Sequence, residues 1–213
     1  MGKKKTVIII VLIALAVAVA VAGFYIYNLP VTKSKAAVKT TLTALEKCDF
    51  TTAKSHINYS KLSKDTDILS LNEDGLTDAQ MKTIEKALFS NMTYSIVSVK
   101  RTSSTSAVVQ AKITNLNMKK VLEGWYDDVI DIALEYAFSN DTTANEKKAT
   151  AEMIDKLVVN VNKVKKAKGY STATVDITVG KNKKGQWVIA DNDKLYDAIL
   201  GGFITAVKEL ADE

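Results

Sequence analysis

One cysteine, one histidine and one proline are all that the 213 residues hold of those three types. A single Cys excludes an intrachain disulfide framework, and one Cys with one His excludes a zinc site built from those ligands. One Pro and nine Gly leave few helix or strand breakers, while a 47% hydrophobic content sets the chain apart from disordered compositions. Charge of one sign is scarce too, once its place is considered. The net charge is +5, from 29 Lys+Arg against 24 Asp+Glu, but Lys3, Lys4 and Lys5 supply three units and leave +2 elsewhere. A near-balanced body gives total charge no weight as a sign of specific nucleic-acid binding.

What the chain does have is a long apolar run. From Val7 to Tyr27 it reads VIIIVLIALAVAVAVAGFYIY, 21 residues without a charge. As a helix at about 1.5 Å per residue, that run crosses a hydrocarbon core of about 30 Å. Lysines on its N-terminal flank favour keeping residues 1–6 in the cytoplasm, and Tyr25 and Tyr27 fall where an aromatic belt meets the far interface. Residues 31–213 are then extracytoplasmic. The alternative is a cleaved secretory signal, for which Ala20-Val21-Ala22 before Gly23 supplies a site and a secreted product. The apolar run continues through Phe24 to Tyr27 instead of stopping at the small residues, which favours the anchor. No Cys follows the run closely enough for lipid attachment, since Cys48 lies too far along. Pro30 marks the junction and discourages the membrane helix from continuing unbroken.

The body reads as one α+β domain: helices first, then two strand hairpins split by a helical insertion, then a closing helix. Val38, Leu42 and Leu45 have helical spacing within Val31 to Lys47, and a short helix follows over Asp49 to Ile57. Residues 58–76 read as an irregular connection. Thr77-Asp78-Ala79-Gln80 is a capping box opening a helix that carries Met81, Ile84 and Leu88. In Ser106 to Thr114, Ala107, Val109, Ala111 and Ile113 share one face, which pairs this run with Met92 to Arg101 in a hairpin. The period returns to helical from Asn117 to about Phe138, with Val121, Trp125, Val129, Ile132 and Tyr136 inward. A further helix begins near Thr142, with Leu157 to Val164 open to a strand reading. Ala173, Val175, Ile177 and Val179 then alternate, Gly180 to Gly185 turns the chain, and Asn192 or Asp193 caps a final helix bearing Leu195, Ile199, Phe203, Val207 and Leu210. Segregated strand pairs favour an antiparallel sheet.

No catalytic motif or metal-binding pattern emerges, no cofactor is implied, and the sequence identifies no biochemical activity. His56 has no nucleophile motif around it, and Cys48 reads as a small core residue beside Leu45. Asp127, Asp131 and Glu135, at i, i+4 and i+8, could offer carboxylates to a cation or to acid–base chemistry. The apolar side of the same helix puts that strip on a solvated face. Asp191 and Asp193 begin like a calcium loop, but Tyr196 stands where its glycine is required. The lysines of Lys163 to Lys168 and Lys181 to Lys184 could touch anionic lipid or polymer, yet read more simply as solvated residues. Asn58, Asn91 and Asn140 head glycosylation sequons, a weak pattern. Gly201 and Gly202 interrupt the final helix, through close packing on the sheet or beside a ligand cavity that Trp125 and Trp187 could line.

The order of basic tail, membrane segment, helical pair and terminal Lys183-Lys184-Gly185-Gln186-Trp187-Val188-Ile189 strand resembles small membrane-anchored extracytoplasmic proteins of Gram-positive bacteria. The resemblance implies a nuclear transport factor 2-like or cystatin-like domain, with helices packed on a curved antiparallel sheet; the insertion from Asn117 to about Val161 departs from that pattern. The expectation is a non-enzymatic domain held at the membrane by residues 7–27 and binding a partner protein, a small ligand or an envelope component. The candidate ligand residues are Trp125, Asp127, Asp131 and Trp187. The alternative is a pocket enzyme using Asp127 or Asp131 in acid–base chemistry.

Overall fold

A computed structural model describes the backbone of residues 3–57, 76–137 and 142–211, and the side chains of residues 17–57, 76–136 and 147–210. The expected connection over 58–76 and the sequons at Asn58 and Asn140 fall almost wholly outside those residues. Seven helices and four strands follow in the described residues: α1 (Lys3–Glu46), α2 (Phe50–Lys54), α3 (Asp78–Phe89), β1 (Thr93–Arg101), β2 (Ser106–Leu116), α4 (Met118–Ala137), α5 (Thr142–Lys166), β3 (Tyr170–Lys181), β4 (Trp187–Ile189), α6 (Asp193–Ile199) and α7 (Phe203–Ala211).

The strands form one antiparallel sheet in the order β1-β2-β3-β4. Alternation decides which face is covered. Ala107, Val109, Ala111 and Ile113 of β2 and Val175, Ile177 and Val179 of β3 are buried, each large one contributing about 1.5–3 kcal/mol. α1 lies across this face and touches all four strands. The opposite face stays open, with Ser95, Lys112 and Thr174 forming one exposed cross-strand row. β1 is an edge strand, and its register slips between Ile96 and Ser98, a bulge that blunts the edge against further pairing.

α1 does not stop at Pro30, contrary to the sequence expectation. It runs 44 residues with Pro30 inside it. The reason is packing: Pro30, Ser34, Ala37, Val38, Thr41, Leu42 and Leu45 are all buried. Their i, i+4, i+7 spacing makes one stripe against the sheet, which offsets the backbone hydrogen bond that proline removes. The capping box of α3 forms as its residues specify: Thr77 N–H donates to Gln80 Oε1 at 2.8 Å, and Gln80 N–H to Thr77 Oγ1 at 3.3 Å. α5 stays helical to Lys166, because Leu157, Val161 and Val164 bury one helical face that a strand would split between two.

The expected final helix is two helices. Gly201 and Gly202 both adopt left-handed φ, +63° and +85°, which ends α6 and starts α7 in a new direction. The break is a clasp between distant segments. Gly201 O accepts hydrogen bonds from Met118 N at 3.0 Å and Ser171 Oγ at 3.2 Å. Beside it, buried Asn115 donates from Nδ2 to the carbonyls of Leu88 and Ile199, at 2.7 and 2.6 Å. α3, β2, α4, β3 and α6 are thereby tied at one end of the sheet. Close packing on the sheet therefore accounts for Gly201, where a Cβ would meet the Leu116 carbonyl, whereas Gly202 has open space around it.

Candidate interaction surface

α4 leaves this clasp and pairs with α5 as an antiparallel helical hairpin. Two features fix its seam. Gly124 has no side chain where Asn160 of α5 approaches. Trp125 Nε1 donates to Met153 O at 2.7 Å, so this half-buried indole straps the two helices. Buried Asn160 donates to Asp128 Oδ2 at 2.8 Å, and Lys156 Nζ reaches Asp128 Oδ1 at 3.2 Å. The amide hydrogen bond, aided by Lys156, holds the Asp128 carboxyl below the usual aspartate range. A depressed folded-state value stabilises the fold fully above the ordinary aspartate range, and that contribution is lost as pH falls through the folded value. Thermal unfolding followed against pH should therefore show an acid-side loss of stability that Asp128→Asn flattens.

The remaining candidates are dispersed. Asp127 and Asp131 are exposed, as is Glu135, in keeping with a solvated face. Trp187 is half-buried on β4 and packs against the core. A small cleft of about 230 Å³ opens between Lys120, Gly124, Asn160 and Lys163; none of the four candidates borders it. Burial, and secondarily the charge of Glu85, pushes the Cys48 thiol up, which is the opposite of an activated nucleophile. Among the described residues, no group of three His, Cys, Asp or Glu side chains could hold a metal ion.

What the sequence reading passed over is a second apolar face on α4. Tyr126, Ile130 and Leu134 are 53%, 41% and 56% exposed, unlike the stripe through Val121, Trp125 and Ile132 that faces inward. Their i, i+4, i+8 spacing was present in the sequence. Each precedes an acid, as Tyr126-Asp127, Ile130-Asp131 and Leu134-Glu135, so an apolar stripe is bordered by an acidic one. Exposed apolar side chains recur on α1. Val17, Val19, Val21, Phe24, Tyr25, Ile26 and Tyr27 of α1 are all exposed, on every side of the helix. Among the described residues, no helix is long and apolar enough to cross a membrane; residues 7–16 of the apolar run lie outside the described side chains.

No protein-family model and no curated protein matches the chain. Among solved structures it is similar to the Bacillus subtilis protein ycdA, described provisionally as a lipoprotein. The two share 18% identity over 62% of this chain and 39% of that one, with a TM-score of 0.38; the match thus spans less than half of that protein's length.

Proposed function

We propose that this chain is a non-enzymatic, single-pass membrane protein whose extracytoplasmic domain binds a partner protein through the α4–α5 hairpin. The observation that carries the binding reading is the Tyr126, Ile130 and Leu134 stripe. Isolated exposed apolar residues are ordinary, but three in register on one helix form a ridge that a second helix can pack against. The adjoining Asp127, Asp131 and Glu135 define the occupant as an amphipathic helix with lysines or arginines beside its apolar stripe. A second copy of α4 would bring like charges together. Support for the anchor comes from the exposure of Val17 through Tyr27 around α1, which suits a lipid environment. Support for a cystatin-like or nuclear transport factor 2-like domain comes from one long helix crossing a four-stranded antiparallel sheet. Support for the non-enzymatic reading comes from Asp127 and Asp131, which are exposed and do not border the cleft between Lys120, Gly124, Asn160 and Lys163.

A photo-reactive side chain at position 130, in intact cells, tests the docking surface. The expected result is one discrete adduct that disappears when Tyr126 and Leu134 are changed to serine, with stability altered by no more than about 0.5 kcal/mol for each exposed change. The same reagent at Thr174, on the open sheet face, should give none. Equal labelling from both positions would overturn the assignment.

A further inference from the structure

The sheet has a fixed level relative to the apolar run, and this follows from two contacts far apart on α1. Tyr94 Oη lies 2.6 Å from Thr43 Oγ1 and donates to Lys39 O at 3.2 Å. At the other end of β1, the Arg101 guanidinium sits over the Tyr27 ring, 4.2 Å from its centroid. From Tyr27 to Thr43 a helix rises about 24 Å, and from Tyr94 to Arg101 a strand spans about 23 Å. The equal lengths mean that β1 lies antiparallel beside α1, with its last residue level with the last residue of the apolar run.

Two turns meet at that level. Arg101 Nε donates to Ser103 O at 2.9 Å, folding the β1–β2 turn beneath the strand. Lys181 N–H donates to Thr105 O at 2.9 Å, which holds the β3–β4 turn beside it. Together they bring Lys100, Arg101, Lys181, Lys183 and Lys184 to one end of the domain, and all but Arg101 are exposed. Residues 100–106 and 180–188 contain no Asp or Glu, and α1 contains none between Tyr27 and Glu46. Lys33, also exposed, lies about 9 Å along α1 from Tyr27 and has the same sign. A domain whose overall charge is nearly balanced thus carries a cationic end with no acid in the segments that form it.

The geometry points to this end as a lipid-facing surface: the two turns rest on anionic headgroups of the bilayer that holds α1. The inference rests on the anchor reading given above. Cations near an anionic bilayer surface gain about 1 kcal/mol each, which is about fivefold in equilibrium terms. Several of them, on two turns held together by hydrogen bonds, would pin the domain upright on the membrane and point the clasp end, at the opposite end of β2, away from it. A pinned domain presents its hairpin in one orientation; a free one would sweep through many.

Lysine-acylation footprinting of the full chain tests this in nanodiscs of phosphatidylglycerol and of phosphatidylcholine. Lys183 and Lys184 should be modified at least about fivefold more slowly in the anionic discs. High salt should remove the protection, and Lys194 and Lys208 should serve as unchanged references. Changing Lys183 and Lys184 to glutamine should expose Lys181 in the anionic discs. Equal modification in both lipids overturns the inference, as does protection produced by a soluble polyanion without any lipid effect, which would assign the surface to an envelope polymer. Alkaline carbonate extraction of the same chain from vesicles separates the two readings. A carbonate-resistant chain without protection loses the lipid-facing surface alone, whereas an extracted chain loses the anchor and this inference with it.

Discussion

Gly201→Ala is expected to destabilise the domain by about 2–5 kcal/mol, as the sum of left-handed backbone strain and overpacking. Both terms are visible at the residue. Its φ of +63° disfavours any side chain, and a Cβ there would run into the carbonyl of Leu116. That carbonyl cannot retreat cheaply. Leu116 is the last residue of β2 and wholly buried, and its N–H bonds Asn115 Oδ1 at 2.8 Å. Nor can Gly201 move away, because its own carbonyl receives Met118 N–H and Ser171 Oγ–H. Gly202 provides the control. Its φ is also left-handed, at +85°, but a Cβ would meet nothing within 4 Å, so Gly202→Ala should cost about 1 kcal/mol. At about 2–4 °C per kcal/mol for a domain of this size, thermal unfolding should separate the two variants by several degrees. Equal losses would show that strain alone, without the approach to Leu116, makes glycine necessary.

Removing residues 1–29 is expected to change the protein's location completely. The intact chain should partition into the membrane, and the shortened one should be released once exported by a foreign signal. Burial of a largely Val, Ile, Leu and Ala helix in hydrocarbon makes the first state effectively irreversible, unlike surface adsorption. The shortened domain should keep its fold, because the buried stripe of α1 begins at Pro30. It should lose the Arg101 contact with Tyr27, a part-exposed cation–π pair worth about 1 kcal/mol. Far-ultraviolet circular dichroism of the released form would check this.

Much of this architecture can be read from period and punctuation. β2 and β3 declare their buried faces because Ala107, Val109, Ala111, Ile113, Val175, Ile177 and Val179 alternate cleanly, and Thr77 with Gln80 marks a helix start by local chemistry alone. The departures arise where tertiary contacts outweigh local preference. Pro30 lies on a buried stripe that forms only when the sheet is present. Gly201 and Gly202 interrupt an apolar series, Leu195 to Leu210, that holds helical spacing across the break, so its periodicity hides the change in direction. Leu157 to Val164 contains enough β-branched residues to suit a strand, and only the burial of every third or fourth residue decides for a helix.

The candidate surface was less legible for a different reason. A helix with one apolar face suggests where its core lies, and α4 has two such faces. The helical period does place Val121, Trp125 and Ile132 inward, as found, but it does not state that Tyr126, Ile130 and Leu134 remain exposed as a second stripe; that depends on where α5 packs. The Trp125 hydrogen bond to Met153 is likewise a property of the hairpin. The cationic end needed a contact between residues 27 and 101, which no local pattern encodes.

We propose that residues 7–27 remain on the mature chain and hold a folded domain outside the cell. Intact-mass measurement of the protein recovered from membranes, before and after protease treatment of whole cells, tests it most directly. The expected result is a membrane-bound chain that still carries residues 7–27, and a cell-surface domain that external protease removes while leaving the anchor behind. A mature chain beginning at Gly23 and recovered from the medium would contradict it.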